Sequence, residues 1–253
     1  MKRIESLSNS LVKYWKKLVT TRKERDQSGE FLVEGFHLVE EALQGTDVLN
    51  LIVREGVEIP ATWNIDNIYM VEVTAAIAAE LAETERTQGI FAHCKQPDFE
   101  VKPSWKKFLL IDAVQDPGNV GTMIRTADAA GMDAVILGKG SADPFNPKTI
   151  RSTQGSIFHL PVLRGELVDW VEQLQERDIP IYGTALDATS VVYNQVQKTP
   201  SFAVIMGNEG SGISKELLTK TTKNVIIPIM GGAESLNVAV ATGIVLYHFA
   251  TAE

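Results

Sequence analysis

The sequence predicts an α/β protein in two parts, a small N-terminal α/β domain followed by a larger domain built on a parallel sheet. Three observations carry this. Short apolar runs of strand length alternate with helical patterns along the chain. In the C-terminal half the runs FLLIDAV, AVILG, IPIYGTAL, FAVIMG and VIIPI lack polar alternation, which implies burial on both faces, hence a parallel sheet covered by helices. Between the halves, QPDFEVKPS carries Pro97 and Pro103 and few apolar side chains, the composition of a linker. The expected boundaries are 1–96, a linker at 97–107, and 108–253.

The first helical pattern is SLVKYWKKLVTTRKERD, where Leu11, Val12, Trp15, Leu18 and Val19 form one apolar stripe and Lys13, Lys16 and Lys17 point elsewhere. FLVEG, FHLVEEALQG, VLNLIVREG, NIYMVEV, AAIAAELAET and GIFAHCKQ then alternate strand and helix to the end of the first domain. In the second, GTMIRTADAAG, PKTIRSTQG, ELVDWVEQLQERD, ISKELLTK and VAVATGIVLYHFATA read as the helices between the strands.

At 253 residues, 44% hydrophobic and 22% charged, the chain is long enough for two packed cores and has the composition of a globular protein. Cys94 is the single cysteine, so an internal disulfide and a cysteine-ligated zinc or iron–sulfur site are excluded. His37, His93, His159 and His248 are scattered, and no metal is expected. Neither a signal-peptide run nor about 18 uninterrupted apolar residues occurs, so a cytoplasmic protein without membrane contact is expected. The net charge of −8 hides an asymmetry: residues 1–25 hold eight Lys/Arg against Glu5 and Glu24, a net of +6, which leaves the remainder at −14. Such a basic segment is compatible with RNA phosphates, and equally with a solvated helix face.

Three strand-to-loop junctions are crowded with Gly, Asn and polar residues, the places where open α/β sheets put ligands. The first, DAVQDPGNVGTMIRTADAAG, reads as a Pro117-Gly118 turn with Asn119 as a candidate cap and Arg125 near the helix start, spelling NxGxxxR. The second, GNEGSGIS, carries Gly207, Asn208, Glu209, Gly210 and Gly212. Its glycines imply close backbone approach, either to a ligand or to another part of the chain, and their spacing is not that of a dinucleotide fingerprint. The third, IPIMGGAESLNVAVATGI, places Ser235 and Asn237 before a small-residue helix, where they fit helix N-caps as well as a site.

Taken together and in this order, the motifs resemble the SpoU family of RNA ribose 2'-O-methyltransferases, in the SPOUT superfamily. The first family motif corresponds to Asn119, Gly121, Arg125 and TADAAG, the second to GNEGSGIS, and the third to the IPI and SLNVAVA segments. IESLSNSLVKYWKKL, FLVEGFHLVEEAL and TQGIFA resemble the family's substrate-binding domain, which is similar to small ribosomal proteins that bind kinked RNA. Ala239 departs from the pattern, since many members carry serine there.

The resemblance implies a trefoil-knotted C-terminal domain, S-adenosylmethionine as cofactor, structured RNA as substrate (ribosomal RNA in preference to tRNA) and a homodimer. It implies catalytic roles for Arg125, Asn119, Glu209, Ser235 and Asn237. Around the cofactor it places Gly207, Asn208, Gly212, Ile227, Pro228, Ile229, Ser235 and Leu236; toward RNA are expected Arg125 and Arg151 and, from the basic charge of residues 1–25, Lys13, Lys16, Lys17 and Arg22. A guanidinium, which stays protonated in proteins, is an awkward base, so Arg125 is expected to hold RNA phosphate and stabilise developing negative charge, with the phosphate or Glu209 as proton acceptor. The rival reading is a catalytically silent RNA-binding or ribosome-assembly protein, against which the intact NxGxxxR, GNEG and SLN segments argue.

Overall fold

The computed structural model describes residues 2–185 and 189–251. The chain divides into two compact units, one of residues up to Asp98 together with Phe145–His159, the other of Phe99–Pro144 together with residues from Leu160 onward.

The first unit contains β1 (Lys2–Ile4), α1 (Ser10–Thr20), α2 (Arg22–Ser28), β2 (Glu30–Glu34), α3 (Phe36–Gly45), β3 (Val48–Arg54), β4 (Tyr69–Val73), α4 (Ala75–Leu81) and β5 (Ile90–Lys95). Its mixed sheet has the order β1-β4-β3-β5-β2, with β5 antiparallel to both neighbours. The predicted stripe buries Val12, Trp15, Leu18 and Val19 against Leu32, Ile52, Val71, Ile77 and Phe91. Where the sequence reads as one helix, the backbone extends at Thr21 and divides it in two. Arg25 explains the break: it is buried, and its guanidinium donates to the Leu18 and Val19 carbonyls at 2.6 and 3.0 Å, satisfying acceptors that the end of α1 leaves open. Arg25 therefore does not belong to the exposed basic surface. Beneath α1, the Tyr14 hydroxyl donates to Glu30 at 2.6 Å, His93 Nε2 donates to the same carboxylate at 2.6 Å, and Trp15 Nε1 donates to His93 Nδ1 at 3.4 Å.

The second unit contains β6 (Lys107–Asp112), α5 (Pro117–Ala129) and β7 (Ala134–Leu137). After the excursion described below follow β8 (Val162–Arg164), α7 (Leu167–Glu176), β9 (Ile181–Thr184), β10 (Val191–Val192), β11 (Phe202–Gly207), α8 (Lys215–Lys220), β12 (Lys223–Ile226) and α9 (Val238–Ala250). All strand pairs are parallel, in the order β10-β12-β9-β11-β6-β7-β8. Because side chains alternate across a strand, Phe108 and Leu110 pack with Ile136, Ile205, Val171, Leu174 and Leu217 under α7 and α8. On α9, Phe249 stacks on Tyr182 at 4.3 Å and lies 5.3 Å from Phe202. The chain runs from β6 outward to β7 and β8, then crosses to β9 on the other side and returns in β11 to lie beside β6, which puts the topological switch between β6 and β11.

Two expected boundaries need correction. Residues 145–159, placed by sequence inside the C-terminal domain, fold with the first unit. They carry α6 (Pro147–Thr153) and a 3-10 turn at Ser156–Phe158. The reason is apolar packing: Phe145 and Phe158 lie 4.8 and 6.2 Å from Phe31, and any side chain at Gly45 would come within 2.6 Å of Phe158 Cβ. The end of the predicted linker is core, since Trp105 is buried beside Phe108 and the Lys106 and Lys107 amides donate to Asp133. The short strands β1, β8 and β10 have only two or three residues each, too few to write an apolar run in the sequence. VIIPI is strand only to Ile226, because Pro228 cannot donate a ladder hydrogen bond.

Candidate functional site

The site begins where β6 and β11 end side by side, with Asp112 paired in register to Gly207. The Asp112 carboxylate accepts the Ser214 amide at 2.7 Å, drawing the loop after β11 back over the strand ends. Gly207 permits this fold-back: a side chain there would lie 2.2 Å from the Gly212 carbonyl carbon and 2.3 Å from the Ile213 amide. Of the two readings the glycines left open, close approach to another part of the chain is realised at Gly207. Gly212 has φ +69°, a conformation that L residues rarely adopt.

Asn208 holds that loop rather than offering its side chain to a ligand. Its Oδ1 accepts from the Gly210 and Ser211 amides at 2.9 and 3.1 Å and from the Ser211 hydroxyl at 3.2 Å, while its Nδ2 donates to the Ala113 carbonyl at 2.8 Å. Ala113 sits at φ 56°, so the junction after β6 carries backbone strain just where Asn208 fastens it.

The next junction corrects the sequence reading. Asp116, not Asn119, caps α5, accepting the Asn119 amide at 2.8 Å, and Pro117 opens the helix at its first position instead of making a turn. Asn119 is thereby inside the first helical turn, with its side-chain amide free to point outward. That amide donates to Glu209 Oε1 at 3.0 Å and accepts from Asn237 Nδ2 at 3.0 Å. Asn237 caps α9, its Oδ1 accepting the Ala239 and Val240 amides at 2.9 and 3.3 Å. Both readings of Asn237, as cap and as site residue, therefore hold in one side chain. The helix amides can only donate and the carboxylate can only accept, so both asparagine orientations in the chain Asn237–Asn119–Glu209 are set by its ends.

Burial pushes the Glu209 carboxyl up, but the Asn119 amide and the backbone amides of Glu209, Gln115 and Asp116 outweigh it and hold the pKa below its ordinary value. The Glu209 carboxylate is thus held ionised, a weaker base than a free carboxylate but with its lone pairs available.

Beside this chain opens a cavity of about 680 Å³. Its walls include Gly207, Asn208, Glu209, Gly212, Ile227, Ile229, Ser235, Leu236 and Asn237, with Val225, Val238 and Ala241 adding apolar surface. Pro228 does not line it. Arg125 is not among its walls either; it lies in the second half of α5, about 9 Å along the axis from Asn119 at 1.5 Å per residue. Its exposed guanidinium has no hydrogen-bond or ion-pair partner among the described residues.

The residues assigned to RNA differ in how free they are. Lys13 is exposed without a partner among the described residues, whereas Lys16 reaches Glu80 at 3.3 Å, Lys17 lies 3.8 Å from Glu24, and Arg22 pairs with Asp26 at 3.3 Å. Arg151, on α6, lies 3.8 Å from Glu83. Among the described residues no group of three or more His, Cys, Asp or Glu is placed to hold a metal ion, and no helix is long and apolar enough to cross a membrane.

Comparison with known proteins places these features in a family. Residues 106–247 match the SpoU rRNA Methylase family, and residues 9–92 match the MRM3-like substrate binding domain. The chain is 50% identical, over 98% of its length and 99% of the relative's, to the 23S rRNA (guanosine(2553)-2'-O)-methyltransferase RlmP of Bacillus subtilis. It is 32% identical, over 95% of its length and 89% of the relative's, to the 23S rRNA (uridine(2479)-2'-O)-methyltransferase of Streptomyces viridochromogenes. The structure is also similar to an AdoMet-bound rRNA methyltransferase from Sinorhizobium meliloti, with a TM-score of 0.87 and 33% identity over 98% and 96% of the two chains. This protein belongs to the SpoU rRNA Methylase family.

Proposed function

We propose that this protein transfers a methyl group from S-adenosylmethionine to a ribose 2'-hydroxyl of ribosomal RNA. The observation that carries the reading is the hydrogen-bond chain Asn237–Asn119–Glu209, which draws three separate strand-to-helix junctions to the edge of one cavity. At about 680 Å³ that cavity is of a size for a cofactor of this class. Ile227, Ile229 and Leu236 offer apolar surface to an adenine, while Ser235 and the backbone around Gly207 and Gly212 offer polar groups to a ribose and an amino-acid tail. When bound, the cofactor supplies an electrophilic methyl on a positively charged sulfur. The named relatives act on 23S rRNA, which favours ribosomal RNA over tRNA.

Asn119, held from both sides, orients groups at the cavity edge and keeps Glu209 charged and fixed. Arg125 attracts the RNA phosphate and stabilises negative charge growing on the 2'-oxygen. Glu209 and the RNA phosphate are the two proton acceptors this reading offers; the lowered pKa keeps Glu209 ionised and therefore able to accept.

Three further assignments belong to this reading. A homodimer is supported by the apolar stripe of Val240, Gly243, Ile244 and Tyr247 on α9, of which Val240 and Tyr247 are exposed, and by the near-complete exposure (94%) of Met230. A dimer would also give the unpartnered Arg125 a second cavity to serve. A trefoil knot is supported by the return of the chain after β12 across the cavity and by the packing of α9 on β11. RNA binding by the first unit, similar to that of ribosomal proteins on kinked RNA, is supported by its match to a substrate-binding domain and by exposed Lys13 and Arg22. Isothermal calorimetry with S-adenosylmethionine tests the reading, since a catalytically silent RNA-binding protein gives no heat of donor binding at micromolar concentration.

A further inference from the structure

In the first unit a second cavity, of about 290 Å³, opens beside β2, the start of α3, the loop at 82–89 and α6. It shares no lining residue with the larger cavity, and Arg151 stands on its wall. Leu32, Leu38, Leu81 and Ile150 line it with apolar surface, and Arg86 and Gln88 stand on its walls. The loop that carries Arg86 is fastened on both sides. Glu34 accepts the Glu83 amide at 3.2 Å and the Thr84 hydroxyl at 2.8 Å, and Gln88 Oε1 accepts the Phe36 amide at 2.8 Å. Arg86 itself is exposed and has no partner among the described residues, and Gln88 keeps its amide N–H groups for a ligand.

This volume is at the low end for small-molecule sites, about 300–1,000 Å³, which fits one flat heterocycle better than a peptide or a whole nucleotide cofactor. Apolar side chains and a planar guanidinium on the walls of one cavity suit the faces of such a ring, and an amide among them suits hydrogen bonding to the ring edge. We propose that this cavity captures a single unstacked nucleobase of the RNA substrate. The proposal rests on the reading of the first unit as RNA-binding. It adds that this unit reads a splayed base, beyond holding phosphates.

The test uses the full-length protein and fluorescence anisotropy with a labelled RNA of about eight nucleotides and an abasic counterpart carrying the same phosphates. The base-bearing strand is expected to bind at least about fivefold more tightly. Arg86→Ala and Leu38→Trp should each remove that preference, Arg86→Lys should fail to restore it, and calorimetric binding of S-adenosylmethionine should be unchanged. Arg86 is exposed, so its variants keep the test open if Leu38→Trp does not fold. Equal affinity for the two strands, full rescue by Arg86→Lys, or an unaltered preference in a folded Leu38→Trp protein overturns the proposal. If the protein methylates RNA yet shows no base preference, base capture alone is wrong; if it neither binds nor methylates RNA, the broader reading is wrong.

Discussion

Asn237 donates to Asn119 at 3.0 Å with one side of its amide while the other side caps the helix that follows it. One side chain thus joins a structural duty to a site, and the two are separable by chemistry. Asn237→Asp keeps an oxygen for the Ala239 and Val240 amides but cannot donate to Asn119. It should melt within a few degrees of the parent, since an aspartate caps about as well as an asparagine, yet methylate at least about tenfold more slowly. Asn237→Ala should lose both, at about 1 kcal/mol of stability for the cap. Equal activity in Asn237→Asp and the parent would remove the amide chain from the mechanism.

Asn119→Ala and Arg125→Ala are expected to abolish methylation with S-adenosylmethionine affinity largely retained, because neither side chain lines the cavity. Calorimetry on the two variants checks this. Comparable loss of donor affinity in both would move them to the cofactor.

Gly207→Ala should be far more damaging than its size suggests. The added carbon meets backbone at 2.2 Å, where nothing flexible can move aside, so a destabilisation of about 1–3 kcal/mol or more is expected together with loss of donor binding. Denaturant unfolding reads the first and calorimetry the second; a variant with parental stability would show that the fold-back of the loop is not tight in solution.

His93 is the basis of a pH prediction for stability. Burial lowers its pKa from 6.5, and the hydrogen bond to Glu30 and that residue's charge only partly oppose this. The unfolded chain therefore takes up a proton at His93 before the native protein does, so stability is full above about pH 6.5 and falls as pH drops toward the lower native value. Urea unfolding between pH 7.5 and 5 should show this loss, reduced in His93→Gln. Glu209 has the same sign in a more acidic window: its depressed pKa favours the native state above 4.5, and that contribution is lost as pH falls through the lower native value. Over neutral pH it should therefore contribute no limb to the methylation rate profile.

How much of this was legible in the sequence follows from what each feature depends on. The strands of the parallel sheet were readable because burial on both faces writes continuous apolar runs such as FLLID. Membership of α6 in the first unit was not, because it depends on Phe145 and Phe158 meeting Phe31, more than a hundred residues earlier. One consequence concerns truncation. A fragment of residues 97–253 would keep Phe145 and Phe158 while losing their packing partner, so it is a poor test of donor binding and is expected to aggregate. At the site, the motif residues were legible from their order, but the cap at Asp116 and the holding role of Asn208 were not, because several polar residues within a few positions compete for one helix start. The basic segment was legible as charge only; structure shows that Arg25 is spent on α1 and that Lys16 and Lys17 have acidic neighbours. Replacing Lys13, Lys16 and Lys17 with alanine should still flatten the salt dependence of RNA binding, with Lys13 contributing most.

The stripe on α9 predicts association. Light scattering at micromolar concentration should give twice the 27.7 kDa chain mass, and Val240→Arg with Tyr247→Arg should give a monomer. A parent protein that is monomeric at that concentration would leave the stripe and Arg125 without their proposed partner.

The most direct test of the central claim is transfer itself. Ribosomal RNA from a strain lacking the enzyme, incubated with the full-length protein and methyl-labelled S-adenosylmethionine, should gain label that nuclease digestion and nucleoside chromatography place on one ribose 2'-oxygen. Asn119→Ala should bind the donor and leave the RNA unlabelled. Label on a base, or binding of S-adenosylmethionine by the parent protein with no transfer to ribosomal RNA, would contradict the account.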